Sequence, residues 1–245
     1  MAESNESKDK FWQYFDDDAK DYLSTIMEAE GDFYRKSAEY VNADIPKDSD
    51  VLDIGNGGVI NYDISGINHL TCADIYIVPR VANAYKSVSK ITFVESDITD
   101  MNNVNDNSFD AVIVQNVIHH LAEDTYRLTY QKTVKALTEC VRVLKPGGVL
   151  LICESTAKPW FERMERLFYR LMMQIIDIVK FDHVYQYSAK SLCRMLDKHL
   201  KDAACIETTE NIGQGKYTVF LGRKVPSWLL PLTVTYLKVR KNEGR

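Results

Sequence analysis

Three carboxylates lie at the ends of three apolar segments that we interpret as successive β-strands. Asp53 lies near the end of residues 51–54, Asp74 near the end of the second segment, and Asp97 directly after the third. The carboxyl ends of neighbouring parallel strands meet at one rim of an α/β sheet, so we expect these side chains to line that rim. Carboxylates suit a ligand that offers hydroxyls, an exocyclic amine and a positive charge, and they suit a diphosphate poorly. A nucleoside that carries an amino-acid tail and a sulfonium meets that description.

A glycine-rich loop follows the first of these segments. Gly55, Gly57 and Gly58 lie close together, and glycine lets the backbone approach a ligand because it has no Cβ atom. A dinucleotide-binding loop of the form Gly-x-Gly-x-x-Gly would need its third glycine at the position of Ile60. No Gly-Lys-Ser/Thr sequence follows either, which excludes a P-loop. The loop therefore indicates a ligand close to the backbone, but not a diphosphate.

The elements that must position these residues alternate along the chain. Near-continuous apolar strands separated by helical patterns are typical of a parallel sheet that is buried on both faces. The predicted strands are 51–54, 69–75, 90–95, 109–115 and 149–154, with a helix at 124–144. Beyond them we predict a helical stretch at 160–180, a helix at 188–200 with Ser188 as its N-cap, and strands at 204–209 and 216–222.

The predicted fold class is α/β, with a seven-stranded, mostly parallel, doubly wound sheet and an antiparallel C-terminal edge hairpin. We expect one domain over residues 1–245, with N-terminal helices in 1–45, a core in 46–224 and a tail in 225–245. Helical periodicity in the first forty residues predicts two helices divided at Gly31. The core contains a helical insertion at 158–200, after the fifth strand.

Composition narrows the class of protein. The formal charge of −5 over 245 residues argues against a nucleic-acid partner. Five scattered cysteines without Cys-x-x-Cys spacing indicate free thiols in a reducing compartment, and we expect no metal site. The polar N-terminus is unlike a secretory signal, and no apolar run approaches the roughly 20 residues that span a bilayer. We therefore expect a cytoplasmic protein without stable membrane insertion.

Several motifs, taken in order, resemble the class I S-adenosylmethionine-dependent methyltransferases of the small-molecule type. The resemblance covers about residues 47–224, most of the chain. It rests on 51–58 (VLDIGNGG), Asp74, 96–98 (SDI), 107–112 (NSFDAV), 116–121 (NVIHHL) and 142–148 (RVLKPGG). It implies S-adenosyl-L-methionine as the cofactor and S-adenosyl-L-homocysteine as its product.

The resemblance also implies roles for individual residues. In the loop, Gly55, Asn56 and Gly57 would pass under the methionine part of the cofactor, and Asp53 would order the loop and face the amino group. At the next strands, Asp74, with Ile75 beside it, would accept hydrogen bonds from the ribose hydroxyls. Asp97 would accept a hydrogen bond from the adenine amino group, and Ile98 would pack against the face of the adenine ring. Asn116 would lie beside the methionine moiety and the transferable methyl group.

The chain departs from the family pattern after the glycine loop. Val59 stands where the usual third glycine would be, and Asn61-Tyr62-Asp63 lies where the first helix should run. We therefore expect this helix to be short or distorted. Tyr62 or Asp63 would then approach the carboxylate end of the cofactor.

Two pairs of residues are further candidates for the site. His119 and His120 could take a proton from a nucleophile near neutral pH, or one of them could hydrogen-bond the backbone and shape the wall below the methyl site. Tyr14 and Tyr22 belong to an aromatic N-terminal segment that is a lid in many family members, and they could contact the cofactor. The other interpretation of this segment is a plain cover for the sheet edge.

The insertion and the tail leave alternatives open. Residues 160–181 are rich in Met and aromatic side chains, which fits core packing, a dimer surface or an apolar acceptor pocket to which Tyr185 and Tyr187 would add polar contacts. For residues 228–241 we favour a packed terminal helix over contact with a membrane surface.

The predicted function is methyl transfer to a small apolar or aromatic acceptor in specialised metabolism, achieved mainly by positioning, with histidine assistance. The protein would be a monomer or a homodimer. The alternative is a non-catalytic regulatory or scaffolding protein that keeps the cofactor fold. The sequence does not distinguish N-, O- and C-methylation, because the nucleophile belongs to the acceptor.

Overall fold

The structure is a computed structural model that describes residues 19–178, 183–213, 217–220 and 223–243. Its strands are β1 (Asp50–Ile54), β2 (His69–Asp74), β3 (Ile91–Glu95), β4 (Phe109–Gln115), β5 (Leu144–Ala157), β6 (Ala204–Asn211), β7 (Tyr217–Phe220), β8 (Arg223–Pro226) and β9 (Leu232–Lys241). Its α-helices are α1 (Ala19–Asp44), α2 (Pro79–Tyr85), α3 (Tyr126–Val143), α4 (Pro159–Leu167), α5 (Tyr169–Ile178) and α6 (Ala189–Leu200). Single 3₁₀ turns occupy Ile118–Leu121 and Ser227–Leu229.

Seven strands form the main sheet in the order β3-β2-β1-β4-β5-β9-β6. The pairs from β3 to β5 are parallel, whereas β9 pairs antiparallel with both β5 and β6. This arrangement confirms the predicted α/β fold class, with antiparallel pairing at the C-terminal side of the sheet. The carboxyl ends of β1, β2 and β4 therefore share one rim, where the candidate residues lie.

The sheet is buried on both faces because its central strands are almost entirely apolar. In β4, Val112 and Val114 face one core and Ile113 faces the other, and all three are fully buried. The first core lies under α3, α5 and α6, and the second lies under α1 and the loop after β1. Burial on both faces is typical of parallel strands in a doubly wound sheet.

The prediction for the C-terminal part was wrong in two places. The tail contains the interior strand β9 rather than a packed helix, and β-branched and aromatic side chains such as Val234 and Tyr236 are buried in it. Its basic residues are satisfied by ion pairs, for example Lys238 with Asp44 at 2.6 Å. The predicted strand at 216–222 is β7, which pairs with β8 in a separate two-stranded sheet.

The N-terminal part also differs from the prediction. Helix α1 runs without interruption through Gly31, because a single glycine costs only about 1 kcal/mol in a helix that other contacts support. Between β1 and β2, residues 55–68 contain no helix at all, where we expected a short or distorted one. Tyr62 and Ile67 from this segment are buried against the sheet in the position that a helix would occupy.

The tyrosines of the insertion region lie in the core. Tyr185 and Tyr187 are almost fully buried, and their rings are 4.8 Å apart at the centroids in an edge-to-face arrangement. Tyr126 and Tyr169 complete the cluster. Among the helices that the structure describes, none is long and apolar enough to cross a membrane.

Candidate functional site

The glycine loop at the end of β1 depends on glycine at three of its positions. Gly55, Gly57 and Gly58 have φ angles of +76°, +56° and +85°, a region that residues with a Cβ atom rarely adopt. A Cβ atom on Gly55 would lie 2.5 Å from the Val117 side chain, and one on Gly58 would collide with Val81 of α2. Gly58 therefore allows the close approach of a helix that follows β2. This role was not apparent from the sequence, where Gly58 is only a displaced third glycine.

Asp53 is completely buried beneath this loop. One carboxylate oxygen accepts hydrogen bonds from Tyr62 Oη at 2.7 Å and from Asn56 Nδ2 at 3.2 Å. The other oxygen, Oδ1, is buried and has no hydrogen-bond partner among the residues that the structure describes. Burial raises the pKa of Asp53 to about 7, although both hydrogen bonds oppose the shift. A buried carboxyl with an unused acceptor fits a cationic amino group such as that of a methionine tail.

The raised pKa of Asp53 predicts a specific pH dependence of stability. The folded protein binds the proton more tightly than the unfolded chain, whose aspartates titrate near pH 3.9. The stabilising contribution is therefore full below about pH 4 and is lost as the pH rises towards 7. In urea unfolding, the free energy of unfolding of the wild type should fall between pH 5 and pH 7 by about 2–3 kcal/mol relative to the Asp53→Asn variant. Parallel pH curves for the two proteins would contradict this prediction.

Asp74 lies at the end of β2 and contacts the glycine loop. One of its carboxylate oxygens accepts a hydrogen bond from the Gly57 backbone N–H at 3.1 Å. Partial burial raises the pKa of Asp74, and backbone N–H groups of Gly57, Ile75 and Tyr76 oppose that shift. Asn56, Gly57 and Asp74 line one small depression at this rim. The structure thus brings together three residues that the sequence predicted for the cofactor, and half-exposed Ile75 follows directly.

Asp97 stands apart from this depression in a turn after β3. It is exposed, and its Oδ1 accepts hydrogen bonds from the backbone N–H and the hydroxyl of Thr99, both at 2.8 Å. Ile98 is buried in the core on the α3 side of the sheet. The predicted roles of both residues at the adenine stay predictions.

Asn116 follows β4 with a left-handed backbone, φ +53°. Its backbone N–H donates to the Cys153 carbonyl oxygen at 2.9 Å, which joins the end of β4 to the neighbouring strand β5. The next residue, Val117, is the one that packs against Gly55. The end of β4 and the glycine loop therefore form one contiguous surface, and the half-buried Asn116 lies in it.

His119 forms a pair with a residue that the sequence interpretation missed. Its Nδ1 lies 2.5 Å from Oε1 of Glu154, near the end of β5. Glu154 is only 2% exposed, and its carboxylate also accepts from the backbone N–H groups of Ile118 at 2.8 Å and Ser155 at 3.0 Å. A buried carboxylate held by two backbone donors orients the imidazole ring and selects its tautomer. The sequence does contain one sign of Glu154's role, because it is the only acidic residue in the otherwise apolar segment 149–154.

His120 and the predicted lid residues have different surroundings. The His120 side chain is exposed, and its ring lies 4.1 Å from that of His119 between centroids. Tyr22 belongs to α1, but its side chain lies outside what the structure describes, and Tyr14 lies outside the described residues. The described part of α1 contacts the site through Asn61, which donates to the Tyr34 carbonyl oxygen at 2.7 Å.

Asn61 joins three elements behind the glycine loop. Its amide group exchanges hydrogen bonds with the buried amide of Gln115 at the end of β4, with Gln115 Nε2 to Asn61 Oδ1 at 2.9 Å. Asn61 Nδ2 also lies 3.0 Å from Ser37 Oγ in α1. These hydrogen bonds hold the segment after β1 against α1 and β4, where we had expected a helix. Asp63 turns away, because its carboxylate accepts from the backbone and hydroxyl of Ser65.

Comparison with known proteins gives a family match for the segment that contains this site. The family described as "Methyltransferase domain" matches residues 52–152, from β1 to β5. This match indicates a methyltransferase domain over part of the chain, in line with the class I S-adenosylmethionine-dependent methyltransferases that the sequence resembles. The matched segment contains the glycine loop, Asp74, Asp97, Asn116 and His119. Domains of this class use S-adenosylmethionine as the methyl donor. The Oδ1 atom of Asp53, which has no partner among the described residues, and the carboxylate of Asp74 at the rim fit the polar groups of that cofactor.

Individual relatives of the methyltransferase domain are more distant. A demethylmenaquinone methyltransferase from Clavibacter sepedonicus is 37% identical over 70 residues, which is 29% of this chain and 24% of that protein. The match thus spans about a quarter of the length of that relative. The 1,6-didemethyltoxoflavin-N1-methyltransferase of Burkholderia thailandensis, solved with S-adenosylhomocysteine, has a TM-score of 0.64 at 14% identity, with 98% of this chain and 90% of that chain covered. The N-methyltransferase NodS of Bradyrhizobium japonicum has a TM-score of 0.52 at 16% identity, with 87% and 85% covered. Both structures share the fold.

Proposed function

We propose that the protein transfers the methyl group of S-adenosylmethionine to a small acceptor at the rim formed by β1, β2 and β4. The observation that carries this proposal is the convergence of Asn56, Gly57 and Asp74 around one depression, with the buried Asp53 directly behind the loop. When bound, the cofactor supplies an electrophilic methyl group on a sulfonium. The contribution of the chain is to hold that methyl group and a nucleophile in line, which can supply a large part of the rate.

Asp53 and Asp74 would hold the two polar ends of the cofactor. The unused Oδ1 of Asp53 suits the amino group of the methionine tail, and Asp74 suits the ribose hydroxyls. Asp97 and Ile98 would contact the adenine, with Ile75 beside the ribose. Asn116 would lie near the transferable methyl group, since it adjoins the loop through Val117.

We further propose that His119 accepts a proton from the acceptor. Donation of Nδ1–H to Glu154 leaves the ring in the tautomer whose Nε2 carries the lone pair. A positioned imidazole contributes typically 10²–10⁴-fold when the nucleophile must lose a proton. This arrangement favours an acceptor with an ionisable O–H, N–H or activated C–H over a tertiary amine. The exposed His120 has no such partner among the contacts that the structure describes.

The acceptor we propose is apolar or aromatic. Support comes from the printed names of similar proteins, since demethylmenaquinone and didemethyltoxoflavin are both conjugated ring compounds. We also propose that residues 1–45 cover the site as a lid within a single domain, because Tyr34 and Ser37 of α1 already contact the loop through Asn61. A cytoplasmic role in specialised metabolism, as a monomer or homodimer, completes the proposal.

Calorimetry with S-adenosylmethionine and S-adenosylhomocysteine tests the first step. Binding of both, followed by transfer of a radiolabelled methyl group to members of a panel of phenols, quinols and N-heterocycles, is the expected result. Absence of cofactor binding by the wild type would refute the proposal. Tight binding with no transfer to any member of a broad panel would instead favour the non-catalytic alternative, a regulatory or scaffolding protein.

A further inference from the structure

The helical insertion after β5 presents an apolar stripe to solvent. Along α4 and α5, the exposed apolar residues recur at helical spacing: Trp160, Met164, Leu167, Leu171, Ile175 and Ile178. Leu167 is 76% exposed and Ile178 is 80% exposed. The opposite face of α5 is the one that packs on the protein core, with Tyr169, Met173 and Ile176 buried. The residues of the apolar stripe therefore take no part in packing the helices against the core.

A row of arginines runs beside this apolar stripe. Arg163, Arg166 and Arg170 are all exposed, and their spacing places them on adjoining turns of the same two helices. Two of the three acidic residues of these helices are less available, because Glu162 is buried against Ser191 and Glu165 is half-buried. The third, Asp177, is exposed and pairs with His183 at 2.8 Å. The exposed charge of α4 and α5 is thus mainly positive on a chain whose formal charge is −5.

A second exposed apolar element lies next to the start of α4. The Lys158 backbone N–H donates to the Pro231 carbonyl oxygen at 2.8 Å, which brings the turn before β9 to this end of the insertion. Trp228 in that turn is 81% exposed, and Leu229 is also exposed. Tryptophan is enriched at membrane–water interfaces, where its amphipathic ring is favoured.

We propose that α4, α5 and the 228–229 turn form a docking surface for an anionic lipid bilayer. An exposed apolar stripe flanked by arginines is the pattern of a helix that lies in the plane of a membrane interface. Anionic headgroups complement the arginine row, and each basic residue near such a surface contributes about fivefold to partitioning. A second copy of the chain fits less well, because two-fold pairing through this stripe would bring two arginine rows near each other.

Docking through this surface would place the end of β5 near the bilayer. Glu154, which orients His119, lies on the strand that leads directly into α4. Docking at a bilayer determines where the protein lies in the cell and does not depend on the identity of the acceptor. It is consistent with an acceptor that dissolves in lipid.

Vesicle flotation tests the proposal on the full-length protein. We expect the wild type to float with vesicles of phosphatidylcholine and phosphatidylglycerol, less with phosphatidylcholine alone, and less at high salt. The Leu167→Ser/Ile178→Ser variant should lose at least about tenfold in partitioning, and Arg163→Gln/Arg170→Gln about fivefold for each arginine. The matched control Leu128→Ser/Lys190→Gln, which changes an exposed leucine on α3 and an exposed lysine on α6, should behave as the wild type.

Binding of S-adenosylhomocysteine, measured on the same variants, separates this proposal from the proposed function. All variants should keep wild-type affinity, because none of the changed residues lies in the cofactor rim. A wild type that does not float with the anionic vesicles would overturn the docking proposal and leave methyl transfer untouched. A wild-type dimer that the Leu167→Ser/Ile178→Ser change dissociates would also overturn it, since the surface would then be a subunit interface.

Discussion

Asp74→Ala is expected to weaken the binding of S-adenosylhomocysteine by at least about a hundredfold. If Asp74 accepts from both ribose hydroxyls, its removal loses two charge-assisted hydrogen bonds, each worth roughly 1.5–3 kcal/mol. The variant also loses the contact from Asp74 to the Gly57 backbone N–H, so the loop becomes less preorganised. Asp74→Asn should have an intermediate effect, because it keeps one acceptor oxygen but no charge. Titration calorimetry measures both affinities.

A matched control is available in the same loop. Asp63 is an exposed carboxylate whose partner is Ser65, so Asp63→Asn should change the affinity by less than about threefold. Thermal unfolding of the three variants would show that each one folds. Undiminished binding by a folded Asp74→Ala protein would exclude this carboxylate from the cofactor site.

His119→Asn is expected to lower kcat by roughly 10²–10³-fold without changing cofactor affinity. Loss of a positioned proton acceptor affects the chemical step when the nucleophile must be deprotonated. Glu154→Gln should lower kcat by about tenfold or more, because the ring loses the carboxylate that orients it and stabilises its protonated form. Single-turnover transfer of a radiolabelled methyl group to an identified acceptor measures both effects.

The adjacent histidine provides the control for this prediction. His120→Asn, at an exposed position next to His119, should lower kcat by less than tenfold. In Glu154→Gln, the acid limb of the pH–rate profile should move to lower pH, a change that a purely structural role would not produce. Wild-type kcat in the folded His119→Asn variant would show that catalysis proceeds by positioning alone.

The parallel half of the sheet could be predicted because its signals are local. Each of β1 to β4 is a short apolar segment bounded by polar or glycine residues, and the observed bounds lie within one residue of those predicted. The N-cap of α6 is equally local, since Ser188 Oγ accepts from the Ser191 backbone N–H at 3.2 Å. The two rim residues Gly57 and Asp74 followed from the order of these strands.

The features that the sequence predicted wrongly, or did not predict, depend on contacts between residues that are distant along the chain. Strand β9 mixes β-branched residues with Lys238 and Arg240, and their partners Asp44 and Glu207 make those charges compatible with an interior strand. In the sequence, Glu154 is an isolated acidic residue in an apolar strand. Its role becomes visible only in the fold, where His119, 35 residues away along the chain, contacts its carboxylate.

The segment after the glycine loop contains a similar case. Its departure from the family pattern predicted a disturbed helix, but not that Tyr62 would donate to Asp53 from an irregular segment. The pattern of apolar residues here does not specify a helix, and the polar side chains find partners instead. Asn61 in particular contacts α1 and β4, elements that no local pattern connects to it.

The position of β9 between β5 and β6 has a consequence for how the protein is made. Strand β6 pairs only with β9 in the main sheet, and β9 is the last of the described strands to leave the ribosome. Until then β5 has one open edge along its whole length, including Glu154, whose partner in the register is Thr235. An unpaired edge of this kind is prone to association with other chains. Premature termination before residue 232 would therefore yield a nascent chain that contains every predicted cofactor residue and is nevertheless a substrate for chaperones or proteases.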